Sequence, residues 1–523
     1  MKTTPRLAAC ATALLALNAS APLRAADTGW DAVPAILARI KAPQFPAHDF
    51  PVTDFGAMGD GTTDCTAAIA KAIAACNAAG GGRVVVTGGV FLTGAVHLKS
   101  NVNLHVAEGA TLKFSPDPAK FLPVVRARYE GTECMNYSPL IYAFEQENIA
   151  ITGKGTLDGS ASRDTWWGLG QRFAAAQAAA RAATAAAPGA APAPTPGTAP
   201  AAGAPAAGGR RGGGGGAFAS GGLINMGETG VPVEQRIFGD KGALRPNFVV
   251  PYLCKNILIE DVHIINSPMW ELNPVLCTNI TVRGVDIHSH GPNNDGCDPD
   301  SCKDVLIENC TFDTGDDCIA IKSGKDADGR RVNVPSENLI VRNCVMQDGH
   351  GGVVLGSENS GGIRNVFAEN NKMDSPNLQR ALRLKTNAGR GGYLENVYMR
   401  NCTVGRVSDS LLTIDLVYGG TRQGKFTPTV RNVVMENVTS TSSPRVLNVV
   451  GIQGSIIEGV RIENCTFRGV EGPDILTNSG GITYKNVTVE AVPRARPAPA
   501  APAAPAGPAT PATAPAAARP SGE

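Results

Sequence analysis

"NLIVRNCVMQDGH" (338–350) sets an apolar run, an asparagine corner at 343 and a second short run in thirteen residues. The same plan recurs as "NILIEDVHIINSP" at 256, "NITVRGVDIHSHG" at 279, "DVLIENCTFDTGD" at 304, "NVFAENNKMDSPN" at 365 and "NVYMRNCTVGRVS" at 396. "NVVMENVTSTSS" at 432, "GVRIENCTFRGV" at 459 and "ITYKNVTVEAV" at 482 continue it, so successive starts lie 23 to 36 residues apart. That period marks a solenoid. The runs are short and rich in Val, Ile and Asn, whereas a helical repeat needs long segments with apolar spacing of three and four. The pattern therefore predicts an all-β, single-domain right-handed parallel β-helix over 45–491. A propeller is the alternative, but the unequal spacing and absent blade signature disfavour it. Asn309, Asn343, Asn401 and Asn464 fall at equivalent corners and are expected to stack as a hydrogen-bonded ladder.

An open solenoid end needs a cap. "TTDCTAAIAKAIAACNAAGGG" has a Thr/Asp start, an apolar face and terminal glycines, which predicts a short capping helix at about 64–79 over the first coil. Two stretches fall outside the pattern. Residues 174–221 and 492–523 are rich in Ala, Pro and Gly, and are expected to be disordered because they cannot bury enough apolar surface to offset ordering entropy. The first 26 residues, with Lys2, Arg6, an apolar run and small residues at Ala25 and Ala26, read as a signal peptide. A membrane anchor is disfavoured, since the run is short. The mature protein is thus expected to be secreted or periplasmic.

With 523 residues and 43% hydrophobic content the chain can build a large core, and a net charge of +1 gives no field for nucleic acid or a membrane surface. Of 13 cysteines, several sit in phrases such as "ENCTF". They read first as small buried core residues, with Cys318–Cys344 a possible bridge in an oxidising compartment. No zinc spacing with histidines is visible, and no metal or cofactor is called for.

Polar residues interrupt the coils at Asp295, Asp316 with Asp317, His350, and Arg383 with Lys385. The steps between them are each about one coil, and parallel strands stack about 4.8 Å apart. Residues separated by nearly ninety positions are thereby brought onto one wall. Three close carboxylates push their pKa values apart, so one can hold a proton while another stays ionised, as general acid and base require. A bend at Gly315 is expected to aim the neighbouring Asp316 and Asp317 into one site. His350, between Gly349 and Gly351, could hold the acid's proton. Arg383 and Lys385 share a strand face and suit a ligand carboxylate. Asp298, Asp300, Asp304 and Asp313 read as turn formers. The carboxylate cluster could instead bind calcium.

"NNDG", "GDDC", "GHGG" and "RLK" resemble, in order and spacing, the motifs of glycoside hydrolase family 28, the polygalacturonases. The departures are Asn294 for Thr and Leu384 for Ile. The resemblance implies that Asp316 is the general acid and that Asp295 and Asp317 activate water. It also implies that His350 tunes the acid, that Arg383 and Lys385 hold a substrate carboxylate, and that a pectic polysaccharide is hydrolysed with inversion; a monomer is the default expectation. Inversion would fit carboxyls separated by about 6.5–9.5 Å. "PNNDGCDPDSCKDVLIENC" and "SPNLQRALRLKTN" look most like bacterial members that include exo-acting enzymes, and residues 160–245, with Trp166, Trp167 and Arg245, are expected to close one end of the cleft. Tyr418 either stacks on a sugar or packs. Rival readings are a rhamnogalacturonan or xylogalacturonan hydrolase, a Ca²⁺-dependent pectate lyase and a non-catalytic glycan-binding β-helix.

Overall fold

The computed structural model describes residues 29–176, 216–420 and 424–492; the signal-peptide reading and the tail from 493 onward lie outside them. Two thirteen-stranded sheets run the length of the molecule, one from Asp49–Pro51 to Ile482–Lys485, the other from Asp60–Asp64 to Thr488–Ala491. A third face comprises a three-stranded piece (Val96–His97, Ile141–Phe144, Val249–Tyr252) and a six-stranded piece from Ile319–Ile321 to Ile475–Thr477. Between the two pieces only isolated bridges continue the face, through Leu272 and Cys297 to Ile319 and through Val275 and Asp300 to Lys322. The strands are parallel, each coil crossing in the right-handed sense. The one antiparallel pair among the described residues is the hairpin Val125–Tyr129 with Thr132–Asn136.

Inward side chains stack in columns. Ile280, Val305, Leu339, Val366 and Val397 follow one another in register and are all buried. At about 25 cal/mol per Å² of apolar area, such columns dominate stability. Asparagine recurs at the corners because the backbone there is left-handed: φ is 62° at Asn338, 57° at Asn365 and 57° at Asn396. Among side-chain-bearing residues Asn tolerates that region best. The longer ladder lies inside the first-sheet strands, such as Ser336–Arg342 and Ile363–Glu369, not at the corner expected. Asn365 donates to Asn338 at 3.1 Å, Asn396 to Asn365 at 3.0 Å and Asn432 to Asn396 at 2.9 Å. At the expected corner, Asn437 reaches Asn401 at 3.2 Å and Asn486 reaches Asn464 at 3.0 Å.

The capping helix is Thr66–Ala78, its Ile69, Ala72, Ile73 and Cys76 buried against the first coil. A second N-terminal helix, Val33–Arg39, was not foreseen. It lies across the middle of the first sheet, where Val33, Ile36 and Ile40 bury themselves against Leu306, Ile340, Phe367, Tyr398 and Val434. The 174–221 tract is described only at its edges, and both are helical; Gly216–Glu228 forms a helix whose Leu223 packs with Tyr129 and Trp270. Cys318 and Cys344 do not pair: all twelve described cysteines are buried free thiols, as the core reading expects. No described helix is long and apolar enough to cross a membrane.

Candidate active site

The catalytic candidates gather where the third face is broken. Gly296 N–H donates to Asp317 C=O at 3.0 Å, and Cys297 bridges to Ile319, so Asp295 and Asp317 occupy adjacent coils. Ile319 pairs with Val353 and Val353 with Leu382, which sets His350 and Arg383 in the next two coils. The chain bends between Thr311–Thr314 and Ile319–Ile321. Gly315 is required there for close approach: a Cβ would stand 2.5 Å from Gly291 O. Gly349, at φ 153°, packs equally tightly, with its Cβ position 2.7 Å from Asp316 O.

The bend sends the two aspartates to different environments. Asp316 is half-buried and accepts from His350 Nδ1 at 2.8 Å. That bond raises the His350 pKa above its usual value, outweighing burial. Asp317 is fully buried, with Lys385 Nζ 2.5 Å from Oδ2 and an Arg383 guanidinium nitrogen 3.5 Å from Oδ1. Burial works against its charge, but Lys385, Arg383 and Lys322 overcome it and hold the carboxyl at about 2. The two cations expected to clamp a ligand thus contact Asp317 first. Tyr418 stacks beside both, its ring centroid 5.5 Å from Arg383 Cζ and 5.2 Å from Lys385 Nζ.

Asp295 is pushed the other way. Burial first, then the charges of Asp298 and Asp316, raise its carboxyl well above the usual range. Beside it lies a cation the sequence reading overlooked. Lys322 Nζ, fully buried, stands 3.5 Å from Asp295, 3.6 Å from Asp298 and 3.6 Å from Glu358, and 4.2 Å from the Trp270 ring centroid. Burial raises the carboxyls of both Asp295 and Asp298, neighbouring carboxylates add to it, and the shared Lys322 ammonium offsets only part. Glu358, held also by Lys325, stays ionised despite its burial.

Asp298 and Asp300 are therefore not turn formers. Asp298 faces Lys322, and Asp300 is ion-paired with fully buried Arg128 at 2.8 Å. Both are buried: Asp300 against Arg128 of the 125–136 hairpin and Asp298 beside Lys322, whose ammonium lies over the Trp270 ring. Asp304 has a left-handed backbone, but within the strand Lys303–Glu308, where Arg39 bridges it at 2.8 Å, and Asp313 also lies within a strand. Asn294, the departure from Thr, is a fully buried strut. It donates to Ser267 and Met269 carbonyls at 3.1 and 2.9 Å and accepts from Ser289 Oγ and Gly291 N–H at 2.8 and 2.6 Å.

A cavity of about 210 Å³ opens on this cluster. Glu130, Asp295, Asp316 and Glu358 balance Lys322, Lys325, Lys385 and Arg390 in its lining, Trp270 and Tyr418 form part of its side, and Asp317, His350 and Arg383 lie behind it. Glu130 sits at the turn of the 125–136 hairpin, ion-paired to Lys325 at 3.0 Å. Arg245 pins the Asp295 loop through the Pro268 and Pro292 carbonyls and Asn293. Trp167 donates to Ser267 O at 2.9 Å, but Trp166 is a core residue packed on Phe121. The nearest oxygens of Asp295, Asp316 and Asp317 lie within 4.8 Å of one another, closer than the separation expected of an inverting pair.

Residues 232–492 match the model of glycosyl hydrolases family 28, and residues 50–161 match a rhamnogalacturonase A/epimerase, pectate lyase-like model. The crystal structure of a hyperthermoactive exopolygalacturonase from Thermotoga maritima superposes with a TM-score of 0.78 at 42% identity, covering 89% of this chain and 96% of that one. A probable polygalacturonase of Vitis vinifera is 28% identical over 441 residues, spanning 80% of this chain and 74% of the relative. An exo-poly-alpha-D-galacturonosidase of Dickeya chrysanthemi is 28% identical over 414 residues, 75% of this chain and 62% of that protein.

Proposed function

The chain belongs to glycosyl hydrolases family 28, and from that premise we propose that it hydrolyses α-1,4-galacturonosyl bonds of pectin by single displacement, working from a chain end. One observation carries the chemistry: two fully buried carboxyls, Asp295 and Asp317, each keep an Oδ1 that takes no hydrogen bond from the described residues. The nearest oxygens lie within 4.8 Å, a gap that a single water can span with two hydrogen bonds of about 2.8 Å. A water held between these two oxygens is placed for direct attack, with no ester to either carboxyl. This argument favours inversion although the carboxyl separation is short. Asp317, ionised under Lys385 and Arg383, is the base that orients the water. Asp295 shares it and takes up the released proton. Asp316, the one of the three carboxyls that keeps some exposure, is bonded to His350, lines the cavity and donates a proton to the leaving oxygen.

Lys385, Lys325 and Arg390 bring cations to a lining that also carries four carboxyls, and these cations can hold a uronate. Arg383 does not line the cavity and acts by holding Asp317. Exo action is supported by Glu130 of the hairpin and Trp270, which wall one side of the cavity, with the Gly216–Glu228 helix packed in the same cluster as Trp270 through Leu223. The names of the Thermotoga and Dickeya relatives agree with it. Secretion fits a pectic substrate and the basic–apolar first residues.

The test is a time course of product sizes on polygalacturonate, rhamnogalacturonan and xylogalacturonan, with and without EDTA, with product anomers read by proton NMR. Short saturated products from the start, inverted and indifferent to EDTA, are expected on polygalacturonate. Early mixed oligomers would overturn exo action; an unsaturated, EDTA-sensitive product would overturn hydrolysis. Asp317→Asn is expected to lower kcat about 10²-fold or more, the usual loss with a positioned base; a non-catalytic glycan binder would be indifferent to the change.

A further inference from the structure

The outer face of the second sheet carries a cluster that the chemistry above does not use. Strands Asp286–Ser289 and Thr311–Thr314 are neighbours, and their register sets His288 against Asp313. His288 Nδ1 lies 2.8 Å from Asp313 Oδ2, and His290 Nε2 lies 2.8 Å from Asp313 Oδ1. One carboxylate thus bridges two imidazoles whose ring centroids are 5.1 Å apart. In the coil before, His263 Nδ1 meets Asp286 Oδ2 at 3.0 Å. Three of the chain's seven histidines therefore share one patch of this face.

We propose that His288, His290 and Asp313 bind a divalent transition-metal ion of the zinc type, at a site separate from the acidic trio. Two imidazole nitrogens and one carboxylate oxygen are a donor set that Zn²⁺, Co²⁺, Ni²⁺ and Cu²⁺ favour, and that Ca²⁺ and Mg²⁺ do not. The geometry needs little adjustment. Bonds of about 2.0–2.2 Å to a tetrahedral ion place neighbouring donor atoms about 3.4 Å apart. One ligand atom from each of the three residues already lies within 4.8 Å of the others. Asp313 is only 19% exposed and both it and His288 stand on paired strands, so two of the three ligands are held by the sheet rather than by a free loop. The imidazoles are more open, at 62% and 41%, which leaves the remaining coordination positions to solvent.

Sequence spacing hides such a site because the third ligand comes from the next coil, 23 residues after His290. Its place matters for the active site. His290 begins the segment that runs to Asp295, and Asp313 precedes Asp316 by three residues. Gly315 packs on the His290 backbone, its Cβ position 2.8 Å from the His290 carbonyl carbon. A bound ion ties the two aspartate-bearing segments together at their base without touching substrate.

The test is titration calorimetry of ZnCl₂ into the full chain, free of any affinity tag and stripped with EDTA. One ion per chain is expected, with affinity at least tenfold weaker in His288→Gln and in Asp313→Asn. The glutamine keeps a hydrogen bond to Asp313 and so preserves the fold; equal thermal midpoints of the metal-free proteins check this. Co²⁺ is expected to give visible d–d absorption that His290→Gln removes. Absence of binding at millimolar ZnCl₂ overturns the proposal and leaves two surface His–Asp pairs. Binding that survives all three substitutions, or that is lost only in Asp316→Asn, also overturns it and moves the ion elsewhere, in the latter case to the acidic trio.

Discussion

Lys322 shows most directly how one side chain shapes this site. Removing it leaves three buried carboxyls facing one another, and breaking a buried ion cluster in this way costs about 3–5 kcal/mol. Lys322→Met is therefore expected to lower the thermal midpoint. It is also expected to move the acidic limb of the kcat–pH profile upward, because Asp295 loses the nearest charge that favours its ionised form. An unmoved limb would show that Asp295 does not titrate in the rate-limiting step. His350 sets the opposite limb. Its pKa is raised by Asp316, so it keeps its proton from acid pH up through 6.5 and releases it only above that. The basic limb of kcat/KM is expected above pH 6.5 in the wild type and shifted or lost in His350→Gln. The same shift bears on stability: the His350–Asp316 bond contributes fully below 6.5 and fades as pH rises through the raised value. Asp317 has the mirrored sign. Its contribution is present above the ordinary carboxylate value near 3.8 and is lost as pH falls toward about 2.

At the scale of strands and corners, the asparagine positions separate backbone from side-chain effects. Asn365 combines a φ of 57° with ladder bonds to Asn338 and Asn396. Asn365→Gly keeps the backbone unstrained but loses the ladder bonds, about 1 kcal/mol each, and adds about 0.5–1 kcal/mol of chain entropy. Asn365→Ala adds left-handed strain of about 1–2 kcal/mol. Denaturant melts are thus expected to rank wild type above Gly above Ala; an Ala variant as stable as the Gly variant would mean the corner relaxes. The coils themselves were legible because each residue's neighbours lie one repeat away, so inward and outward positions could be read from alternation. Asp295, Asp316, Asp317, His350 and Arg383 were legible for the same reason. Lys322, Asp298 and Asp300 were not. Alternation correctly turns them outward from the coil, and an outward Lys or Asp reads as solvated. The 125–136 hairpin, from a distant part of the chain, pairs Arg128 with Asp300, and Trp270 and Glu358 from neighbouring coils enclose Lys322. The His288–Asp313 contact was missed because short metal-binding motifs are sought within one segment rather than across coils.

For the whole molecule, the first described helix acts as a brace over several coils. Trp30 packs 5.4 Å from Phe367 and 6.2 Å from Tyr398 by ring centroid, with Arg400 Cζ 3.9 Å from its own ring. Trp30→Ala is expected to destabilise the protein by about 2 kcal/mol, less than for a fully buried aromatic, and to leave kcat within about twofold because the site opens on another face. A large loss of kcat with unchanged melting would refute that separation.

That brace also dictates an order of events when the polypeptide is made. Its seat includes Val434, which lies 398 positions beyond Ile36. While the chain emerges from its N-terminal end, the first coils can close on themselves, but the Val33–Arg39 helix has nowhere complete to land until nearly the entire solenoid has been wound. Its docking is therefore among the last steps of maturation, and a nascent chain cut short before residue 434 would leave Ile36 and Trp30 without part of the surface that receives them.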